Sequence, residues 1–183
     1  VLANALLLTT EGIPCLYYGT EAGVRDERGV LERESETGRV TYVPRGEPER
    51  LEEARKSESF RAIRALISAR KAHPALRTGA TVVLPAGEGG CFLFARVLPN
   101  HPTVLVAIQL GQPVAGSRIT TRLLGADRTP LLGKGKVLAR LPLEGGDQEA
   151  PRQLVPAWHD GVPRVTFEAR AESVTIWTVA EPR

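Results

Sequence analysis

Gly12-Ile13-Pro14-Cys15-Leu16-Tyr17-Tyr18-Gly19-Thr20-Glu21 is the stretch on which the reading of this chain turns. Residues 13–18 carry no charge and do not alternate apolar with polar. A short continuous apolar run between turn signals predicts a strand covered on both faces, as in a parallel sheet. Cys15 then reads as a small buried hydrophobe. Before the stretch, residues 1–8 are apolar except for Asn4, and Thr9, Thr10, Glu11 and Gly12 end that helical run. Gly12 suits a left-handed C-cap. Helix, short turn and buried strand make half of a βα repeat.

Gly-Ile-Pro-x-Leu-Tyr-Tyr-Gly-x-Glu resembles the last-strand motif of the alpha-amylase family, glycoside hydrolase family 13. Gly12, Pro14, Gly19 and Glu21 fall on the motif's fixed positions. Further on, Ala69-Arg70-Lys71-Ala72-His73-Pro74-Ala75-Leu76 resembles the family's last barrel helix and its exit. The resemblance implies α/β followed by all-β architecture. Residues 1–79 would be the terminal βα unit of a (β/α)8 TIM barrel. Residues 80–183 would be an antiparallel Greek-key β-sandwich, the family's domain C.

The resemblance also implies an activity: retaining hydrolysis or transglycosylation at α-glucosidic bonds. The partner would be an α-glucan or a small α-glucoside, bound through the complete parent enzyme with its N-terminal barrel portion. Retaining glycosidases need two carboxyl groups about 5–5.5 Å apart. In the family, an aspartate nucleophile, a glutamate acid/base and a second aspartate come from barrel strands four, five and seven. All three precede the equivalent of Val1, and neither Asn-His-Asp nor Gly-x-Arg-x-Asp occurs here. No residue of this chain is therefore assigned a catalytic role, and the segment is expected to be inactive alone. No cofactor is implied.

Composition is that of an ordinary globular protein: 183 residues, 42% hydrophobic and 25% charged, with a net charge of +3. The basic residues are scattered, which argues against a nucleic-acid surface. The apolar run at residues 1–8 is broken too early for a membrane span, which needs about 20 apolar residues. The sequence contains no methionine, and Val1 already lies within a helical pattern with no cap before it. Both features favour a piece of a longer chain. Cys15 and Cys91 make no disulfide framework, and His73, His101 and His159 follow no metal-ligand spacing.

After Glu21 the texture changes. Residues 24–53 are rich in charge and glycine without periodicity, which predicts a long loop, with a short strand at 40–43. In a barrel the loop after a strand lies on the C-terminal face, where active sites sit. Asp26 and Glu27 therefore stand with Glu21 as candidates for substrate contact, against the simpler reading of a solvated insertion. For Glu21 the preferred role is to anchor neighbouring loops by hydrogen bonds or an ion pair. Gly12, Pro14, Tyr18 and Gly19 read as structural members of the motif.

Residues 57–72 predict a helix: Phe60, Ile63, Leu66 and Ile67 form an apolar stripe, with Arg61, Arg64, Arg70 and Lys71 off it. Ser57 suits the N-cap, and Pro74 stops the helix near His73. From Ala80 onward, strands are predicted at 81–84, 91–97, 103–110, 137–143, 164–169 and 173–179, with a weaker one at 119–124. Many short strands separated by Gly, Pro, Asn and Asp imply an antiparallel sandwich. Trp177 lies in an alternating strand and is expected to pack. Trp158, beside a turn, is the better of the two for stacking on a sugar, against the simpler and preferred reading of plain packing.

Two other classes of function fit the same residues. One is a carbohydrate-binding or interaction module built on the sandwich. The other is a non-catalytic relative of the family. On either reading, the first 80 residues are expected to be marginal alone, with the sandwich folding independently.

Overall fold

The computed structural model describes residues 1–17, 20–21, 52, 54–87, 90–112, 118–144 and 146–182. Tyr18, Gly19, Asp26, Glu27 and the strand expected at 40–43 lie outside them.

Ahead of the sheets lie the helices α1 (Leu2–Thr9), α2 (Glu58–Ala72) and α3 (Pro74–Thr78). Ser57 caps α2 as its sequence suggests, its hydroxyl accepting from the Phe60 amide at 3.1 Å. His73 closes α2, and Pro74 opens α3, where the missing N–H costs nothing. Gly79 then lets the chain pass between α3 and the sheet. A Cβ there would lie 2.5 Å from the Ala75 carbonyl oxygen and 2.8 Å from that of Val97.

Among the described residues nine strands follow: β1 (Ala80–Val83), β2 (Cys91–Val97), β3 (Val104–Gln109), β4 (Ile119–Arg122), β5 (Val137–Arg140), β6 (Gln153–Leu154), β7 (Ala157–His159), β8 (Val162–Phe167) and β9 (Ser173–Ala180). They form a six-stranded sheet in the order β1-β2-β3-β9-β5-β6 and a three-stranded sheet in the order β4-β8-β7. Every pairing is antiparallel. The expected β-sandwich is present. The short strands β6 and β7 were not expected from the sequence.

Both faces of the large sheet are covered, and alternate residues serve different cores. Leu93, Ala95, Leu105, Ala107 and Trp177 face the small sheet, meeting Ile119, Val165 and Phe167. The Trp177 and Phe167 rings lie 5.0 Å apart, and the indole N–H donates to the Pro151 carbonyl at 3.2 Å. The packing role expected for Trp177 is thus observed. On the opposite face, Phe94, Val104, Val106, Ile108, Val174 and Ile176 pack against Ala5, Leu8, Ile63, Leu66, Ala75 and Leu76 of the helices. All six residues of β3 are buried for this reason. The helices and the large sheet therefore share a hydrophobic core, which argues against the independence expected for residues 80–183.

Among the described residues no barrel βα unit is seen. Residues 12–17 belong to no strand, and Ile13 is 96% exposed. The physical reason is the absence of a neighbour: among the described residues no strand pairs with this stretch. Its apolar side chains state a need for burial that the described residues do not meet. Cys15 is exposed for the same reason, correcting its expected burial.

Candidate functional site

The motif stretch is held at its start by one side chain. Arg70, in the last turn of α2, is buried at 8% exposure. Its guanidinium donates to the carbonyls of Leu8 and Thr10, each at 2.9 Å, and of Leu76 and Gly12, each at 2.7 Å. The last carbonyls of α1 have no partners within that helix, and a cation there also complements the helix dipole. Reading Arg70 as merely off the apolar stripe missed this role. Burial and the nearby Arg77 charge both lower the Arg70 pKa.

The same interactions replace the C-cap expected of Gly12. Helix α1 ends at Thr10, whose backbone is extended, and the Thr9 and Thr10 hydroxyls donate back to the Ala5 and Leu6 carbonyls at 2.6 and 2.9 Å. Gly12 lies further along with φ at +103°, a conformation that side-chain-bearing residues rarely adopt. Glycine is thus required there, by a turn outside the helix rather than by its cap.

A second buried guanidinium supports the first. Arg96 on β2 is fully buried, donates to the Ala75 carbonyl at 3.3 Å and to the Thr81 hydroxyl, and lies 3.8 Å from the Glu11 carboxylate. Burial lowers its pKa, an effect that Glu11 opposes and Arg70 adds to. Together Arg96 and Arg70 tie the helical layer to the sheet at the point where the motif stretch begins.

At the far end of the motif, Glu21 meets the N-cap of α2. The Ser57 hydroxyl donates to the Glu21 carbonyl at 3.3 Å. This contact uses the Glu21 backbone rather than its carboxylate. Pro14 is half-buried and Tyr17 exposed.

Trp158 stands elsewhere. It lies on β7, paired with Pro163 of β8 in the small sheet, and is half-buried. The Lys134 ammonium sits 5.9 Å from the centre of its ring. That distance allows a cation–π contact. The large sheet separates Trp158 from the helical layer that holds Glu21, so the two candidates do not converge. Among the described residues no group of three His, Cys, Asp or Glu side chains is placed to hold a metal ion, and no helix is long and apolar enough to cross a membrane.

No protein-family model matches the chain, and no curated protein does. Solved structures do. A product complex of the multi-modular glycogen-degrading pneumococcal virulence factor SpuA matches with a TM-score of 0.50 and 16% identity, over 99% of this chain and 22% of that one. The catalytic module of the same factor, in complex with an inhibitor, matches with a TM-score of 0.48 and 16% identity, over 99% of this chain and 31% of that one. At this identity the first match is a likeness of fold. The chain spans less than a third of the length of either neighbour.

Proposed function

We propose that this chain is the C-terminal segment of an alpha-amylase-family enzyme acting on α-glucosidic bonds by a retaining mechanism. It contributes the last strand and helix of the catalytic barrel, followed by domain C. The observation that carries this reading is the state of the motif stretch. An uncharged sequence that matches the family's last barrel strand leaves a helix end clamped by Arg70, yet Ile13 stands in solvent. Neighbouring barrel strands would cover it. The fold shared with part of a glycogen-degrading enzyme supports the same placement.

In that setting residues 12–17 form the barrel's closing strand, with Glu21 at its C-terminal end, where barrel active sites lie. Asp26 and Glu27, which follow Glu21 in sequence, remain candidates for substrate contact. The nucleophile and acid/base carboxylates come from other strands, so this segment positions and covers rather than reacts. Trp158 is a candidate sugar contact on the sandwich. The second reading, a carbohydrate-binding sandwich module, is favoured by the half-exposed ring of Trp158.

The test is to read the coding sequence upstream of Val1 and assay the whole gene product on glycogen and maltodextrin, following the first-formed anomer by proton NMR. The proposal expects the three carboxylates upstream and an α-anomeric product. A folded whole product with the carboxylates but a β-anomeric first product would contradict the mechanism. A product that begins near Val1 and binds saccharide without cleaving it would favour the module.

A further inference from the structure

The small sheet turns one face to the large sheet and the other to solvent. Burial alternates along β4 and β8: Ile119, Thr121, Pro163, Val165 and Phe167 are buried, and Thr120, Arg122, Arg164 and Thr166 are exposed on the outer face. The strand register sets that face rung by rung. Arg122 lies directly opposite Arg164, and Thr120 opposite Thr166. One step further along, Arg118 meets Glu168.

Two of these rungs are complementary and one is not. Arg118 Nε donates to the Glu168 carboxylate at 3.1 Å, and the Thr120 and Thr166 hydroxyls share a hydrogen bond of 2.9 Å. Arg122 and Arg164 set two positive charges against each other, and among the described residues neither side chain has a hydrogen bond or an ion pair. Like charges directly opposite each other weaken a sheet. The register brings these two as close as a sheet allows. The Leu123 amide donates to the Pro163 carbonyl at 2.8 Å, so the residues opposite each other there form a hydrogen-bonded pair. Arg122 and Arg164, one step along, are then a non-hydrogen-bonded pair, the kind whose side chains approach most closely.

The surroundings leave the pair open. In β7 the residue opposite Arg164 is Ala157, exposed and too small to cover a guanidinium. His159, two residues on, is exposed as well. By the rise of a strand, Glu168 stands about 13 Å from Arg164 and Asp160, in the turn from β7, about 10 Å. Both distances reach or exceed the Debye length of about 8–10 Å. The Asp127 carboxylate is taken by the amide and hydroxyl of Thr129.

Two adjacent guanidiniums also specify the charge and shape of what they bind. A carboxylate has two oxygens and one charge, and a single guanidinium saturates it in a bidentate pair. A second guanidinium beside the first calls for a further oxygen and a further charge. A phosphate monoester has both. The hydroxyl pair on the adjoining rung spends one of its two protons internally and keeps the other to donate.

We propose that the Arg122–Arg164 rung is a binding site for a phosphate dianion. Each guanidinium holds one edge of the anion, and a hydroxyl of the Thr120–Thr166 rung donates to a remaining oxygen. The site stands independently of the activity proposed above. It lies on an open sheet face, so binding is weak, with Kd on the order of 1 mM.

The experiment is an amide NMR titration of the 183-residue chain with inorganic phosphate and, separately, glucose 6-phosphate. Ionic strength is held constant with chloride, at a pH of about 7.5, where a second pKa of about 6 leaves the monoester doubly charged. Glucose is the neutral control. Saturable shifts at residues 120–123 and 163–166 are expected with both phosphates and not with glucose. Arg122→Gln and Arg164→Gln should each weaken binding at least tenfold, and both positions are exposed, so the fold should tolerate the changes. Shifts with glucose 6-phosphate alone would uphold the site and assign it to a sugar phosphate. Shifts with inorganic phosphate alone would uphold it and assign it to the free anion. No saturable shift with either phosphate, shifts confined to other residues, equal shifts with glucose, or binding unchanged in either variant would each overturn the site. None of these outcomes bears on whether the whole gene product cleaves glycogen, so the two readings fail separately.

Discussion

Arg70 donates to the Gly12 carbonyl at 2.7 Å, and this bond fixes the last turn of one helix to the first residue of the apolar motif stretch. The same guanidinium holds the end of α1 and the short helix α3. Four carbonyls from three chain segments thus converge on one cation. The stretch leaves the helical layer in a direction set by that group.

Replacing Arg70 with methionine keeps much of its volume and removes all four bonds. Leaving buried carbonyls without donors costs about 1–3 kcal/mol each when water cannot reach them, and the losses do not simply add. A net destabilisation of at least ~2 kcal/mol is expected in urea unfolding. Arg64→Ala, at an exposed position of the same helix, should change stability by less than about 0.5 kcal/mol. Equal effects from the two variants would contradict the clamp.

Residues 80–183 should not be stable once separated from the helices. Their removal bares Phe94, Val104, Val106, Ile108, Val174 and Ile176 on one face of the large sheet. Each such side chain is worth roughly 1.5–3 kcal/mol when buried. The truncated chain is expected to melt well below the intact one, or to aggregate. An unchanged melting temperature would restore the independent sandwich.

The two thiols should differ sharply. Cys15 is exposed, whereas burial raises the Cys91 pKa to about 11. The thiolate is the reactive form, so at pH 8 only about 0.1% of Cys91 is available. A disulfide reagent is expected to titrate one thiol quickly, and Cys15→Ser to abolish that phase. Cys91 should gain reactivity as pH rises toward 11, or on unfolding. Two equally fast thiols at pH 8 would contradict this placement.

Trp177 should dominate the stability of the core between the sheets. Its ring is fully buried against Phe167 and its N–H bonds to Pro151. Trp177→Ala is expected to cost about 3–5 kcal/mol in chemical denaturation. Trp158→Ala, at a half-buried site on β7, should cost much less. The reverse order would be inconsistent with the packing.

Much of the sandwich was legible because its long strands are rich in apolar and β-branched residues. The expected span of β2, 91–97, is the observed one, and β3 and β9 differ from expectation by only a residue or so at their ends. The strands β6 and β7 carry two and three residues beside Pro151 and Pro156, too few to show a period. Arg70 was illegible for another reason. Helical periodicity separates apolar from charged residues, but it does not reveal a charge buried by carbonyls from elsewhere in the chain. The motif stretch shows the converse limit: its apolar run declares what it must pack against, and whether a neighbour is present is not written in those ten residues. Glu21 and Trp158 were nameable as candidates, while the Arg122–Arg164 rung joins residues far apart in sequence and had no local signal.

The most direct test is amide hydrogen exchange at residues 12–17, compared between this chain and the gene product that includes the sequence upstream of Val1. In this chain those amides, outside any strand, should exchange freely. In the longer product they should be strongly protected, with Cys15 shielded from thiol reagents, because barrel strands then flank them. Amides that stay unprotected in a folded longer product would contradict the account that this stretch is a barrel strand.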